Sequence, residues 1–135
     1  MSEENVENAR LAIEAWNRQD LPAFLETWDH EAEWRPAFPA GTEGSGAVFR
    51  GREEIALAWH GVREAWSEYQ VSADEARMVG DALLVLGRIH ARGAHSDVEI
   101  DAKWSAVVRF RGGKAISAWD WLDHDRALKA VGLEE

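Results

Sequence analysis

Asp120 is a carboxylate set between two indoles, in the run Trp119-Asp120-Trp121. A carboxyl group held against apolar walls has its charged form disfavoured, and its pKa climbs from ~3.9 toward neutrality. Such a group gives and takes protons near pH 7, the chemistry needed beside a carbonyl, an epoxide or an alkoxide. Strand alternation puts Asp120 on one face and both tryptophans on the other. Two readings follow: an acid/base in a pocket, or a solvated carboxylate beside a buried aromatic pair. A β-bulge would change that parity. On an earlier strand Arg88 and His90 share a parity and are candidates to meet Asp120 across the sheet and orient it; the alternative is a solvated charged face. Arg35 offers a fixed cation for a carboxylate or enolate if it faces inward, against an ion pair with Glu33 or another acid at the rim. His60 lies one position off the apolar stripe of its helix, at a cavity edge or half-exposed. Trp16, Trp59 and Trp104 read as core indoles needing one N–H partner each, and with Trp34 and Trp119 they also suit a flat aromatic guest.

Other chemistries find no support in the spacing. The clusters of metal-ligating types are His90, His95 and Asp97, and the run Asp123-His124-Asp125. Neither has ligands at helical or hairpin spacing, so no metal is expected. The glycines between Gly41 and Gly51 lack the Lys-Ser/Thr of a phosphate loop, and no cofactor is expected. The absence of cysteine excludes disulfides, thiolate metal sites and thiol catalysis.

The elements that must position these residues are legible from periodicity. Val6, Ala9, Ile13 and Trp16 form one helical stripe; Leu21, Phe24, Leu25 and Trp28 form a second, with Asp20 as N-cap and Pro22 in its first turn. A strand is expected over Ala32–Ala37, then a Gly/Pro-rich loop from Pro36 to Gly51 of the kind that often closes over a site. The clearest helix runs from Arg52 to Trp66, with Ile55, Trp59, Val62 and Trp66 on one face. After Ser67 the period becomes two. Strands follow through Tyr69–Ala76, Leu83–Ala91, Val98–Arg111 and Lys114–Leu122, with a hairpin at Gly112-Gly113, and Asp123 caps a last helical turn ending at Gly132. This order gives an α+β domain with helices on one face of a curved antiparallel sheet.

The chain has 135 residues and a net charge of −10, enough for one domain spanning 1–135 and unsuited to a phosphate backbone. With no basic stripe, no apolar run of ~20 residues and an acidic start, the expectation is a cytoplasmic protein with no nucleic-acid or membrane partner.

Ala15-Trp16-Asn17-Arg18-Gln19-Asp20-Leu21, Phe49-Arg50-Gly51-Arg52-Glu53-Glu54-Ile55, Gly87-Arg88, Phe110-Arg111-Gly112-Gly113-Lys114 and Trp119-Asp120-Trp121-Leu122-Asp123 occur in an order that resembles the nuclear-transport-factor-2-like superfamily. Within it the chain is similar to the SnoaL-like polyketide cyclases. The resemblance implies a cone-shaped fold: three helices from the N-terminal half packed on a curved, mixed but mainly antiparallel sheet that encloses an apolar pocket, commonly in a homodimer. Asp120 falls where those cyclases carry an acid/base aspartate, and Ala106 falls where they place a histidine. Ketosteroid isomerases match less well, with Arg35, Ala12 and Ala106 at their functional positions. The expected function is therefore a cofactor-independent isomerase, cyclase or hydrolase acting on an apolar oxygenated molecule. The alternative is a non-catalytic ligand-binding or dimeric interaction domain of the same fold.

Overall fold

The structure, a computed structural model, describes residues 2–37 and 48–133. Helices α1 (Ser2–Asn17) and α2 (Leu21–Glu26) lead into β1 (Trp28–Arg35). A two-residue strand β2 (Phe49–Arg50) then precedes helix α3 (Gly51–Ala65). The strands β3 (Trp66–Val79), β4 (Ala82–Gly93), β5 (Glu99–Arg111) and β6 (Lys114–Trp121) form a meander closed by α4 (Asp125–Ala130). The expected elements are all present, with β1 starting four residues earlier than periodicity suggested. Most of the loop expected over Pro36–Gly51 lies outside the described residues, which stop at Ala37 and resume at Val48.

All six strands join one curved sheet in the order β2-β1-β6-β5-β4-β3. The pairings are antiparallel except that of β1 with β6, which is parallel. Parallel strands need a long crossover, and here more than half of the chain, residues 36–113, lies between β1 and β6. Its effect is to set the N-terminal half beside the last strand, where Asp120 sits.

The sheet has two differently used faces. Toward α1, α2 and α3 it presents Leu83, Val85 and Ile89 of β4 and Trp104 and Ala106 of β5, in one core with Trp16, Phe24, Ile55, Trp59 and Val62. The opposite face gives Ala82, Leu84 and Val107 to a smaller cluster under α4, with Leu86, Trp121 and Leu128 at its margin. Alternation makes both sets apolar in β4, because each residue in turn meets one cluster or the other.

A few local devices fix the curvature. Gln19, with φ of 62°, turns the chain between α1 and α2, and the Asp20 carboxylate caps α2 by accepting from the Ala23 amide at 3.1 Å. The Asn17 side chain extends the ladder of β3: its Nδ2 donates to the Val71 carbonyl and its Oδ1 accepts from the Val71 amide, both at 2.8 Å. In β3 the register against β4 slips between Ala73 and Glu75, a bulge that sharpens the bend. Gly87 faces that bulge so closely that a Cβ there would lie 1.9 Å from the Ser72 carbonyl oxygen. His124, just before α4, holds the same bend from outside through Nε2 and the Gly87 carbonyl at 3.0 Å.

Candidate functional site

Between α1, α2 and the concave side of the sheet lies a cavity of about 100 Å³. Its walls are apolar and mostly aromatic: Trp16 from α1, Phe24 from α2, Trp28 and Trp34 from β1, Tyr69 from β3, and Trp104 from β5. The rings stack on one another at steep angles, with Trp16 at 5.9 Å from Trp34 and 5.2 Å from Tyr69 between centroids.

Asp120 enters this cavity from β6. Two strand registers place it. Parallel pairing sets Trp34 beside Ala118, and antiparallel pairing sets Ala106 opposite Asp120, so both neighbours point to the concave face with it. Trp34 Nε1 donates to Asp120 Oδ2 at 3.2 Å, and the Trp104 side chain gives the carboxyl a second hydrogen bond. Burial pushes the Asp120 pKa up to about 7, against the two indole hydrogen bonds, which favour the charged form and pull it down. Desolvation wins because both donors are neutral and no cation stands among the described residues lining the cavity. A group at about 7 is divided between its two protonation states at neutral pH, so it is equipped as acid and as base.

Tyr69 lines the same cavity, with its phenol raised above the usual tyrosine range by burial first and the Asp120 carboxylate second, while Arg63 acts in the opposite direction. Arg63, on α3, lies with its guanidinium 4.6 Å from the Trp16 ring centroid and 4.9 Å from that of Trp59, and donates to the Trp16 carbonyl. It braces the wall from behind; burial lowers its pKa.

The other candidates divide by face. Trp16, Trp34 and Trp104 line the cavity. Trp59 is buried behind it, packed on Trp16 and Phe24 at 5.0 and 5.1 Å, and serves the core. Arg88 and His90 do not meet Asp120: Val85 and Ile89 take the inner positions of β4, which leaves Arg88 and His90 on the outer face. Arg88 pairs there with Asp101 at 3.1 Å, and His90 approaches Glu99 at 3.5 Å. Arg35 also points outward, because Trp34 takes the inner position on β1. Its guanidinium lies over Trp119 at 4.5 Å, while Glu33 pairs with Arg50 instead. Trp119 is itself on the outer face and 42% exposed, so it is no cavity residue. His60 is exposed on the solvent side of α3. Phe24 and Tyr69, which do line the cavity, carried a usable signal: Phe24 lies on the apolar stripe of α2, and Tyr69 alternates with Gln70 in the parity of Val71. Trp28, expected on that helical stripe, instead opens β1 because α2 ends at Glu26, and it lines the cavity from the sheet.

Among the described residues no group of three or more His, Cys, Asp or Glu side chains is arranged to hold a metal ion. No helix among them is long and apolar enough to cross a membrane.

An open curved sheet wrapped on three helices around an apolar cavity, with β1 beside the last strand, defines a nuclear-transport-factor-2-like protein. The chain belongs to the SnoaL-like domain family, whose pattern matches residues 9–118. No curated protein matches it. Among solved structures, an NTF2-like protein of unknown function from Burkholderia pseudomallei is 25% identical, with TM-score 0.79 over 98% of this chain and 99% of that one. A hypothetical protein of ketosteroid-isomerase-like fold from Catenulispora acidiphila, in complex with trimethylamine, is 18% identical (TM-score 0.75; 94% and 93% covered). A candidate polyketide cyclase from Sinorhizobium meliloti is 20% identical (TM-score 0.66; 84% and 93% covered).

Proposed function

We propose that the protein is an acid–base enzyme of the isomerase, cyclase or hydrolase kind, acting on a small apolar molecule that carries a carbonyl or epoxide oxygen. The observation that carries this reading is a single carboxyl, Asp120, at about neutral pKa in an aromatic cavity, steadied by the indole N–H of Trp34 at 3.2 Å. With a ketone, the ionised Asp120 would take a proton from the carbon beside the carbonyl. The C–H bond breaks, an O–H bond forms on Asp120, and the electron pair moves to the carbonyl oxygen as an enolate. Return of the proton to another atom gives isomerisation; attack of the enolate carbon on a second carbonyl forms the new C–C bond and an alkoxide, which takes the proton back from Asp120 and completes cyclisation. Tyr69, kept protonated by burial, puts a phenol in the same wall. The Sinorhizobium meliloti relative agrees with such chemistry.

The test is solvent deuterium exchange into a small ketone such as cyclobutanone, followed by mass spectrometry. Exchange above background with the wild type, lost in Asp120→Asn, is the expected result; no exchange of ketones and no opening of small epoxides would overturn the reading. A second reading, a site that holds its ligand without chemistry, is favoured by Ala106. It stands directly opposite Asp120, so no imidazole partners the carboxyl there. The complex of the Catenulispora acidiphila relative with trimethylamine also agrees with a ligand-holding site. The expected homodimer belongs with these proposals; the exposed Trp119 and Leu122 support it, and sedimentation equilibrium tests it.

A further inference from the structure

Among the described residues lining the cavity no lysine, arginine or histidine offsets the charge of Asp120, and the indoles of Trp34 and Trp104 that bond it are neutral. The other lining group that titrates is Tyr69 from β3, and beyond it stands Arg63 from α3, whose nearest ring contacts are Trp16 and Trp59. This arrangement sorts guests by charge. An anion would face a carboxylate in a low-dielectric space, with no cation among the described lining residues and Arg63 only behind the wall. A neutral guest gains burial alone. A cation gains twice, from the carboxylate and from the negative faces of surrounding rings. The steep stacking of Trp16 against Trp34, at 82°, and against Tyr69, at 73°, turns those faces in different directions, as a cage around a cation requires.

Hydration and size narrow the class. A primary ammonium brings three N–H donors that need acceptors. In the wall Asn8 already donates to the Thr27 carbonyl at 3.0 Å and the Thr27 hydroxyl to the Phe24 carbonyl at 2.6 Å, while the buried indole N–H groups of Trp16 and Trp28, which have no hydrogen-bond partner among the described residues, add donors and not acceptors. An alkylated ammonium has one N–H or none and presents methyl groups, which suit indole walls. The cavity encloses about 100 Å³, and engineered apolar cavities of about 150 Å³ hold benzene, with its six heavy atoms, so a guest of about four or five heavy atoms is the size expected.

We infer that this cavity binds a small tertiary or quaternary alkylammonium cation, or the head group of a larger one, with its charge against Asp120 and its methyl groups on Trp16, Trp28, Trp34 and Trp104. The inference shares with the acid–base reading the place of Asp120 in the cavity and nothing of the turnover.

The test compares tetramethylammonium with tert-butyl alcohol, which has the same five-heavy-atom tetrahedral shape and no charge. Binding is read from the indole N–H signals of Trp34 and Trp104 in nitrogen-labelled protein. The expected result is saturable binding of tetramethylammonium, at least about tenfold tighter than the alcohol, with the preference lost in Asp120→Asn. Should that variant fail to fold, wild-type protein at about pH 5, where Asp120 is protonated, must lose the preference in the same way. Equal affinity for the two probes, no saturation by the cation, or a preference that survives neutralising Asp120 would overturn the inference. If the cation fails to bind while cyclobutanone still exchanges its protons, this inference falls and the acid–base reading stands; the reverse pattern removes only the enzyme.

Discussion

Replacing Asp120 by asparagine should change how stability responds to pH, and the size of the effect follows from the cavity. The carboxyl titrates near 3.8 in a free chain and at about 7 in the fold, because burial penalises its charge more than two indole hydrogen bonds relieve it. Between those values the folded protein keeps a proton that the unfolded chain has released. Stability linked to Asp120 is therefore whole below about pH 4 and is lost as pH rises through about 7. At about 1.36 kcal/mol per pH unit, the loss totals about 4 kcal/mol, of which about 3 kcal/mol falls between pH 5 and pH 8. Asparagine has no proton to lose. The unfolding free energy of Asp120→Asn relative to wild type should then rise by about 3 kcal/mol over that interval, whatever its offset from the altered hydrogen bonds. Urea unfolding followed by tryptophan fluorescence measures it, and the other titrating groups cancel in the difference. A difference that stays flat with pH would refute the reasoning, since the carboxyl would then ionise inside the fold as easily as in water.

Three further outcomes are expected. Trp34→Phe removes the 3.2 Å donor to the carboxylate and should raise the Asp120 pKa by about one unit or more, read by carbon NMR of the labelled carboxyl; a fall would show water in place of the indole. Arg88→Ala and His90→Ala, on the outer face, should leave the Asp120 titration unmoved and stability within about 0.5 kcal/mol of wild type; a clear shift in that titration would contradict their placement. Gly87→Ala forces a Cβ to 1.9 Å from the Ser72 carbonyl oxygen and should cost about 3 kcal/mol or more by parting β3 from β4, whereas a thermal melt near that of wild type would show the bend to be more pliable than its geometry implies.

Each kind of feature was legible at a different level. Helical stripes such as Val6-Ala9-Ile13-Trp16, the two-residue alternation after Ser67 and the Gly112-Gly113 turn are local, so the sequence alone determined the elements and the α+β class. Alternation also grouped residues correctly: Trp104, Ala106 and Val108 together, and Arg88 with His90. It could not say which group faces inward. In β4 both groups are largely apolar, because α4 buries part of the outer face that α1–α3 leave uncovered; hence parity left open whether Arg88 and His90 meet Asp120 or form a charged outer face, and the structure shows the second. The pairing of Asp120 with Trp34 joins residues 86 apart in the chain, and it depends on the parallel register of β1 on β6, for which the sequence carries no local mark. The sequence supplied a carboxylate among tryptophans. Only tertiary structure decided that its neighbours in the chain, Trp119 and Trp121, face away, that indoles from two other strands hold it, and that no cation among the described residues lines the cavity with it. Strand parity is a local property, while the choice of buried face belongs to whatever packs on the sheet.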